Sequence, residues 1–276
     1  MWHDESRRKE RELPELPEVE TVRRTIAARL RGRVIRAARY FSPLAAGGDP
    51  DGMAAALTGR RILEVRRKGK YLIFPLDRGW MRIHLRMTGK LLLDGPCTRW
   101  TRALLEFDDG HALVFEDPRQ FGRLLWSAAP PEDVSRLGPD ALELDAAVFA
   151  ARLRGRRGRV KPVLLNQRVL CGLGNIYVDE ALHRARIHPL ASAERLGPAR
   201  LNRLHQAVAE VLAEAIAAGG SSISDYVDGA GRRGWFQFSH RVYGREGEPC
   251  LACGTPIRRI IVGQRGTHYC PRCQRV

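Results

Sequence analysis

Two cysteine pairs, Cys250-x2-Cys253 and Cys270-x2-Cys273, stand sixteen residues apart at the end of the chain and restrict its fold more than any other feature. Thiolates at this spacing approach a tetrahedral zinc ion from two tight knuckles, and metal binding then stabilises a segment too small for a core of its own. The intervening residues Arg258–Val262 and 267–269 read as strands, so a β-hairpin within 240–276 brings the pairs together. Four thiolates leave no position for water, which makes the expected Zn2+ structural rather than catalytic. Two buried disulfides are the competing reading of the same spacing. Cys97 and Cys171 have no such neighbours and read as buried thiols.

The chain has 276 residues, a net charge of +16 and a pI near 10.4. That length allows two modest domains, and the charge points to a polyanion, because clustered Arg and Lys release counterions when they meet phosphates. No apolar run approaches the ~18 residues of a membrane span. The first twelve residues lack the apolar core of a secretory signal, and their acidic residues are unlike a mitochondrial presequence. Thiols arranged for metal suit a reducing compartment, so the expected location is the cytoplasm.

Residues 1–13 form a charge run without a periodic apolar face and read as a disordered or misplaced extension. Val19, Val22, Ile26 and Leu30 recur at helical spacing after Pro17, which suits a first helical turn. Residues 71–75, 82–87, 91–93, 103–107, 112–115 and 123–126 read as short strands divided by turn residues, a sandwich or barrel pattern. Pro- and Gly-rich punctuation marks a linker over 129–147. The pattern beyond it is helical. Leu201, Leu204, Val208, Val211, Leu212 and Ile216 share one face of a helix entered after Pro198 and stopped at Gly219-Gly220. The Gly- and Ser-rich stretch 219–239 reads as a mobile loop. Gly172-Leu173-Gly174-Asn175 precedes a helix expected near Val178, where glycines and helix N–H groups suit a phosphate or simply a tight turn.

Pro14-Glu15-Leu16-Pro17-Glu18-Val19-Glu20, followed by Arg23-Arg24, resembles the N-terminus of the bacterial formamidopyrimidine-DNA glycosylase family. Further similarities are Arg66-Arg67-Lys68-Gly69-Lys70-Tyr71, His84-Leu85-Arg86-Met87, Asp117-Pro118-Arg119-Gln120-Phe121-Gly122, the Gly172–Tyr177 segment with Lys161 upstream, and Gln264-Arg265-Gly266-Thr267 in the hairpin. They run in family order over residues 14 to 276. Leu16 separates the chain from endonuclease-eight-like relatives, which typically carry glycine there. Asn166 departs from the common Asp.

The resemblance implies an α+β fold: an N-terminal helix and β-sandwich over 14–128, then a helix–two-turns–helix domain over 148–239 ending in the zinc hairpin. It implies a base-excision DNA glycosylase and abasic-site lyase acting, as a monomer, on oxidised purines in double-stranded DNA. The implied catalytic set is Pro14, Glu15, Lys70 and Arg265. His84, Met87, Arg119, Phe121, Lys161, Asn175 and Arg265 are the implied DNA contacts. Lys161 would approach the lesion, Asn175, Lys70 and Arg265 would hold phosphates, and Met87, Arg119 and Phe121 would fill the vacated stack. Taken singly, Met87 and Phe121 also suit a core, Lys68 reads as a solvated charge, and Glu18 suits either a helix terminus or the site. The family's nucleophile is the free amine of its N-terminal proline, whereas Pro14 here follows thirteen residues. Initiation at Leu13 followed by removal of that residue would free it. With residues 1–13 retained, the alternative is a lesion-binding protein without lyase activity. A basic zinc-ribbon protein of another class explains the charge and the cysteines but not the Pro14 motif.

Overall fold

The computed structural model describes residues 13–223 and 225–275, so the extension expected over residues 1–13 lies outside the described residues except for Leu13. Helix α1 (Leu16–Leu30) opens the fold with Pro17 in its first turn. Then come β1 (Ile35–Tyr40), α2 (Pro50–Leu57), β2 (Arg66–Lys68), β3 (Tyr71–Pro75), β4 (Trp80–His84), β5 (Lys90–Leu93), β6 (Thr101–Phe107), β7 (Ala112–Glu116) and β8 (Arg123–Ser127). Two four-stranded antiparallel sheets, ordered β1-β6-β7-β5 and β2-β3-β4-β8, form the expected sandwich. Strands β1 and β2 had no counterpart among the expected strands. Both are sheet edges, and their Arg- and Lys-rich sequences suit the charge that protects an edge rather than the apolar alternation of a central strand.

Short α3 (Glu132–Ser135) is followed by α4 (Ala146–Leu153), α5 (Val160–Leu165), α6 (Asn175–Arg184) and α7 (Pro198–Ala217). Helix α6 starts three residues before the expected Val178. The expected face of α7 is buried, and Gly219 and Gly220 end it at positive φ. Strands β9 (Arg258–Val262) and β10 (Arg265–Tyr269) form the hairpin.

Helix α1 joins the two halves. Val19, Val22, Ile26 and Leu30 belong to the sandwich core, whereas Leu16 belongs to the helical core around Tyr177 and Leu173. Burial of each such side chain contributes about 1.5–3 kcal/mol, so this helix strongly opposes separation of the halves. The stretch expected as a bare linker is pinned as well: buried Asp140 accepts bonds from Arg67 Nη1 at 2.6 Å and Gly69 N at 2.8 Å. Within 219–239, Ser221 N donates to Glu18 Oε1 at 2.7 Å, Leu93 N donates to Gly229 O at 2.8 Å, and Phe236 is buried. Glycine there serves close packing, since a Cβ on Gly229 would lie 2.4 Å from Ile26 Cγ2. Cys171 is buried as expected, but Cys97 is exposed, because it lies between β5 and β6 outside the core.

Candidate active site and nucleic-acid interface

A cleft of about 340 Å³ lies where the sandwich meets the helical half. Leu13, Glu15, Lys70, His84, Asn175 and Arg265 line it, drawn from the segment before α1, the β2–β3 turn, the end of β4, the start of α6 and the start of β10. Pro14 is buried between Leu13 and Glu15 and lines an adjoining recess with Glu18 and Ser221. Its nitrogen here is part of the peptide bond with Leu13, and an amide nitrogen is no nucleophile.

Glu15 sits at the N-terminus of α6, where Ile176 N donates to its Oε1 at 3.0 Å. The approach requires glycine: a Cβ on Gly174 would lie 2.2 Å from Glu15 Cδ, and one on Gly172 would lie 2.4 Å from Leu16 Cδ1. These glycines therefore admit the chain's own carboxyl group to the helix terminus, the position at which the sequence suggested a phosphate. Burial pushes the Glu15 pKa up to about 7, a rise opposed by the charge of Lys70 and assisted by that of Glu18. Among the described residues, Glu15 Oε2 and Asn175 Oδ1 are buried without a hydrogen-bond partner, so the cleft holds polar capacity that these residues do not use.

Glu18 braces this arrangement. It accepts Glu15 N at 2.9 Å, Ser221 N at 2.7 Å and the Tyr177 hydroxyl, which ties the segment around Pro14 to α6 and to the stretch after α7. Burial raises its pKa too, against the pull of these donors. His84 accepts Arg86 N through Nδ1 at 3.0 Å, and burial lowers its pKa to about 3. Its ring is therefore neutral at pH 7 with the proton on Nε2, a donor rather than a cation.

Of the basic residues in 66–70, Lys70 reaches the cleft, whereas Arg67 is buried between Glu20 and Asp140 at 3.0 and 2.6 Å. The role expected for Lys161 requires correction. Lys161 is fully buried, with Nζ 2.6 Å from Asp179 Oδ1 and 3.1 Å from Gly266 O, so it is a strut between α5, α6 and β10 with no path to a nucleotide. Asn175 Nδ2 donates to the same Gly266 carbonyl at 3.0 Å, and exposed Arg265 stands beside it in the cleft.

Met87, Arg119 and Phe121 come together on two loops of the sandwich. Strand β4 ends at His84, earlier than expected, which releases Met87 into a turn where Arg86 has φ +54°. Arg119 Nη1 lies 3.4 Å from Met87 Sδ, and its guanidinium stacks 4.6 Å over the Phe121 ring, which is 45% exposed. Gln120, between them, also has positive φ at +57°. Two strained non-glycine residues beside the same cluster indicate backbone set for side-chain display rather than for packing.

The four cysteine sulfurs lie within 4.8 Å of one another, with Cys253–Cys270 at 3.5 Å and Cys250–Cys273 at 4.0 Å. A tetrahedron with ~2.3 Å zinc–sulfur bonds has edges of about 3.8 Å, so the donor set fits one structural zinc, and the cysteines form no disulfides. His183 Nε2 lies 3.6 Å from Cys250 Sγ, behind the ligand shell.

Sequence reasoning missed the buried supports. Asp117 accepts Gly122 N at 2.7 Å and the Thr88 hydroxyl, Asp179 accepts His268 N at 2.8 Å, and Glu180 accepts three consecutive amides at Arg241, Val242 and Tyr243. No local spacing distinguishes these acids from solvated ones. Asn166 is exposed and its Oδ1 accepts Arg168 N at 3.0 Å, a turn bond that Asp would make equally well.

Three family models match in order: the formamidopyrimidine-DNA glycosylase N-terminal domain over 13–124, its H2TH domain over 137–227, and the zinc finger found in FPG and IleRS over 247–276. The formamidopyrimidine-DNA glycosylase of Solibacter usitatus is 54% identical over 265 residues, which are 95% of this chain and all of the relative. The crystal structure of the MutM (Fpg) protein from Thermus thermophilus superposes with a TM-score of 0.85 at 43% identity, covering 95% of this chain and 98% of that one. Lactococcus lactis Fpg in complex with DNA containing an abasic site superposes with a TM-score of 0.85 at 36% identity, covering 95% and 100%. The chain belongs to the formamidopyrimidine-DNA glycosylase family.

Proposed function

We propose that this protein excises oxidised purines, chiefly 8-oxoguanine and formamidopyrimidines, from duplex DNA and then cleaves the strand at the abasic site. The observation that carries the reading is the convergence of Glu15, Lys70, His84, Asn175 and Arg265 on one cleft beside residue 14. Relatives that this chain covers over their whole length have been solved with lesion-containing and abasic DNA, which supports the substrate class. The setting is the cytoplasm, beside the chromosome.

The nucleophile is the amine of Pro14 once residues 1–13 are absent. An α-amino group titrates near ~8, well below lysine, so more of it is unprotonated at neutral pH. The amine attacks C1′ as the damaged base leaves. Glu15, whose raised pKa of about 7 leaves part of it protonated at neutral pH, donates to the ring oxygen as the sugar opens. The N–C1′ bond becomes an iminium, whose positive charge acidifies the C2′ proton, and loss of that proton expels the 3′ phosphate. A second elimination releases the 5′ phosphate. Lys70, Asn175 and Arg265 bind phosphates, neutral His84 donates from Nε2, and Met87, Arg119 and Phe121 occupy the gap left by the flipped nucleotide. Cys250, Cys253, Cys270 and Cys273 would hold the zinc ion, which would tie together the hairpin that carries Arg265.

The test compares proteins starting at Met1 and at Pro14 on a duplex containing 8-oxoguanine opposite cytosine. Only the shorter protein should cleave and form a borohydride-trapped adduct, mapped to Pro14. Equal cleavage by a protein whose residues 1–13 remain intact would refute the mechanism. A protein that binds the lesion duplex but never forms an adduct would instead be the lesion-binding alternative.

A further inference from the structure

Arg186, Arg200, Arg272 and Arg275 line a hollow of about 550 Å³ at the zinc knuckle, together with Cys253 and Cys273. Arg186, Arg272 and Arg275 are exposed and Arg200 is half-buried. None of the four has a carboxylate partner among the described residues, whereas Arg23, Arg67 and Arg184 elsewhere are each paired. Arg186 also holds φ +53°, a conformation that favours glycine, at the point where α6 ends. The chain thus carries an arginine at a strained position whose side chain lines the hollow.

A zinc ion with four thiolates has two net negative charges, so part of this cluster balances the metal site. Four guanidinium groups exceed that requirement and leave a positive hollow whose lining holds no carboxylate among the described residues. The hollow is also separate from the lesion cleft. Arg265 opens β10 and Cys270 directly follows it, so five strand residues at ~3.3 Å each put the knuckle about 17 Å from the Arg265 end.

We propose that this hollow is a second phosphate site, which takes the backbone of a DNA segment other than the one in the lesion cleft. Guanidinium forks match phosphate oxygens, and an exposed hollow without base-reading partners suits sequence-independent backbone binding. A protein holding two segments can pass between them while it searches, because it need not release the first before touching the second.

The zinc-loaded full chain, saturated with a short duplex carrying a tetrahydrofuran abasic analogue, is titrated with a fluorescent undamaged duplex. Wild type should capture the second duplex, with an affinity that falls with salt at a log–log slope of about 3 to 4, one unit per phosphate neutralised. Replacing Arg186, Arg200, Arg272 and Arg275 together by Gln should weaken capture at least about tenfold at low salt, while the four Lys replacements should retain most of it. Lesion-duplex affinity and zinc stoichiometry should not change in either variant. Failure of wild type to capture a second duplex overturns the proposal, as does equal capture by the Gln variant. Loss of zinc in the Gln variant makes the arginines counter-charges only, and loss of lesion-duplex affinity makes them part of the first footprint; each overturns it. Displacement of the second duplex by an equal concentration of a nucleoside triphosphate reassigns the hollow to small polyphosphates and likewise overturns it. None of these readouts depends on base excision, so the glycosylase mechanism can fail independently.

Discussion

Ile176 N donates to Glu15 Oε1 at 3.0 Å, so the residue after Pro14 closes the N-terminus of a helix 161 positions away. Helix termini favour anions, yet full burial outweighs that and raises the pKa of this carboxyl from 4.5 to about 7. Its stabilising contribution is complete below the unfolded value and is lost as pH rises through about 7. Glu15→Gln removes the titration while keeping the acceptor. The variant should therefore gain stability relative to wild type between pH 5 and pH 8, by on the order of 3 kcal/mol. Denaturant unfolding at the two pH values checks this; parallel pH dependence in the two proteins would contradict it. The same variant in the Pro14-start form should bind a lesion duplex and lose most excision.

Lys161 should matter to folding rather than to lesion recognition. Lys161→Met leaves Asp179 as an uncompensated buried charge and should cost about 3–5 kcal/mol. Adding Asp179→Asn neutralises that charge and keeps an acceptor for His268 N, so the double variant should recover part of the loss. Equilibrium unfolding of the two variants tests the pair. A single variant with normal stability but reduced lesion affinity would restore Lys161 to the DNA interface.

Removal of zinc, or Cys270→Ser, should disorder β9 and β10 while the sandwich stays folded, because metal binding supplies the hairpin's folding free energy. Hydrogen exchange resolved to peptides would show rapid exchange over 247–275 and unchanged protection in β3, β4 and β8. Uniform loss of protection would mean that the hairpin and sandwich unfold as one unit.

Arg265→Ala should weaken binding to damaged and undamaged duplex alike and reduce the salt slope by about 1, as expected for one lost phosphate contact. Met87→Ala and Phe121→Ala should leave the slope unchanged and slow single-turnover excision instead. The contrast rests on their surroundings: Arg265 is exposed in the cleft, whereas Met87 and Phe121 both touch Arg119 in a separate cluster. Equal effects on the salt slope would dissolve the distinction.

Covalent spacing was enough for the zinc ligands, for the α1 face of Val19 to Leu30 and for the α7 face of Leu201 to Ile216. In each case the residues that act together are a few positions apart, and backbone geometry alone aligns them. The motifs also singled out Glu15, Lys70, His84, Asn175 and Arg265 one by one as expected site residues. That they share a cleft depends on Gly172 and Gly174, which admit Leu16 and Glu15 to the start of α6. Charge was the least legible property. Arg67 and Lys70 stand three positions apart in one basic run, yet Arg67 is locked to Asp140 and Lys70 lines the cleft. Lys161 resembles a DNA contact in its sequence setting and is sealed against Asp179. A charged side chain is written identically whether it meets water, phosphate or a buried partner. Which of these it meets is decided by segments far along the chain, since only their packing sets its desolvation and supplies its counter-charge.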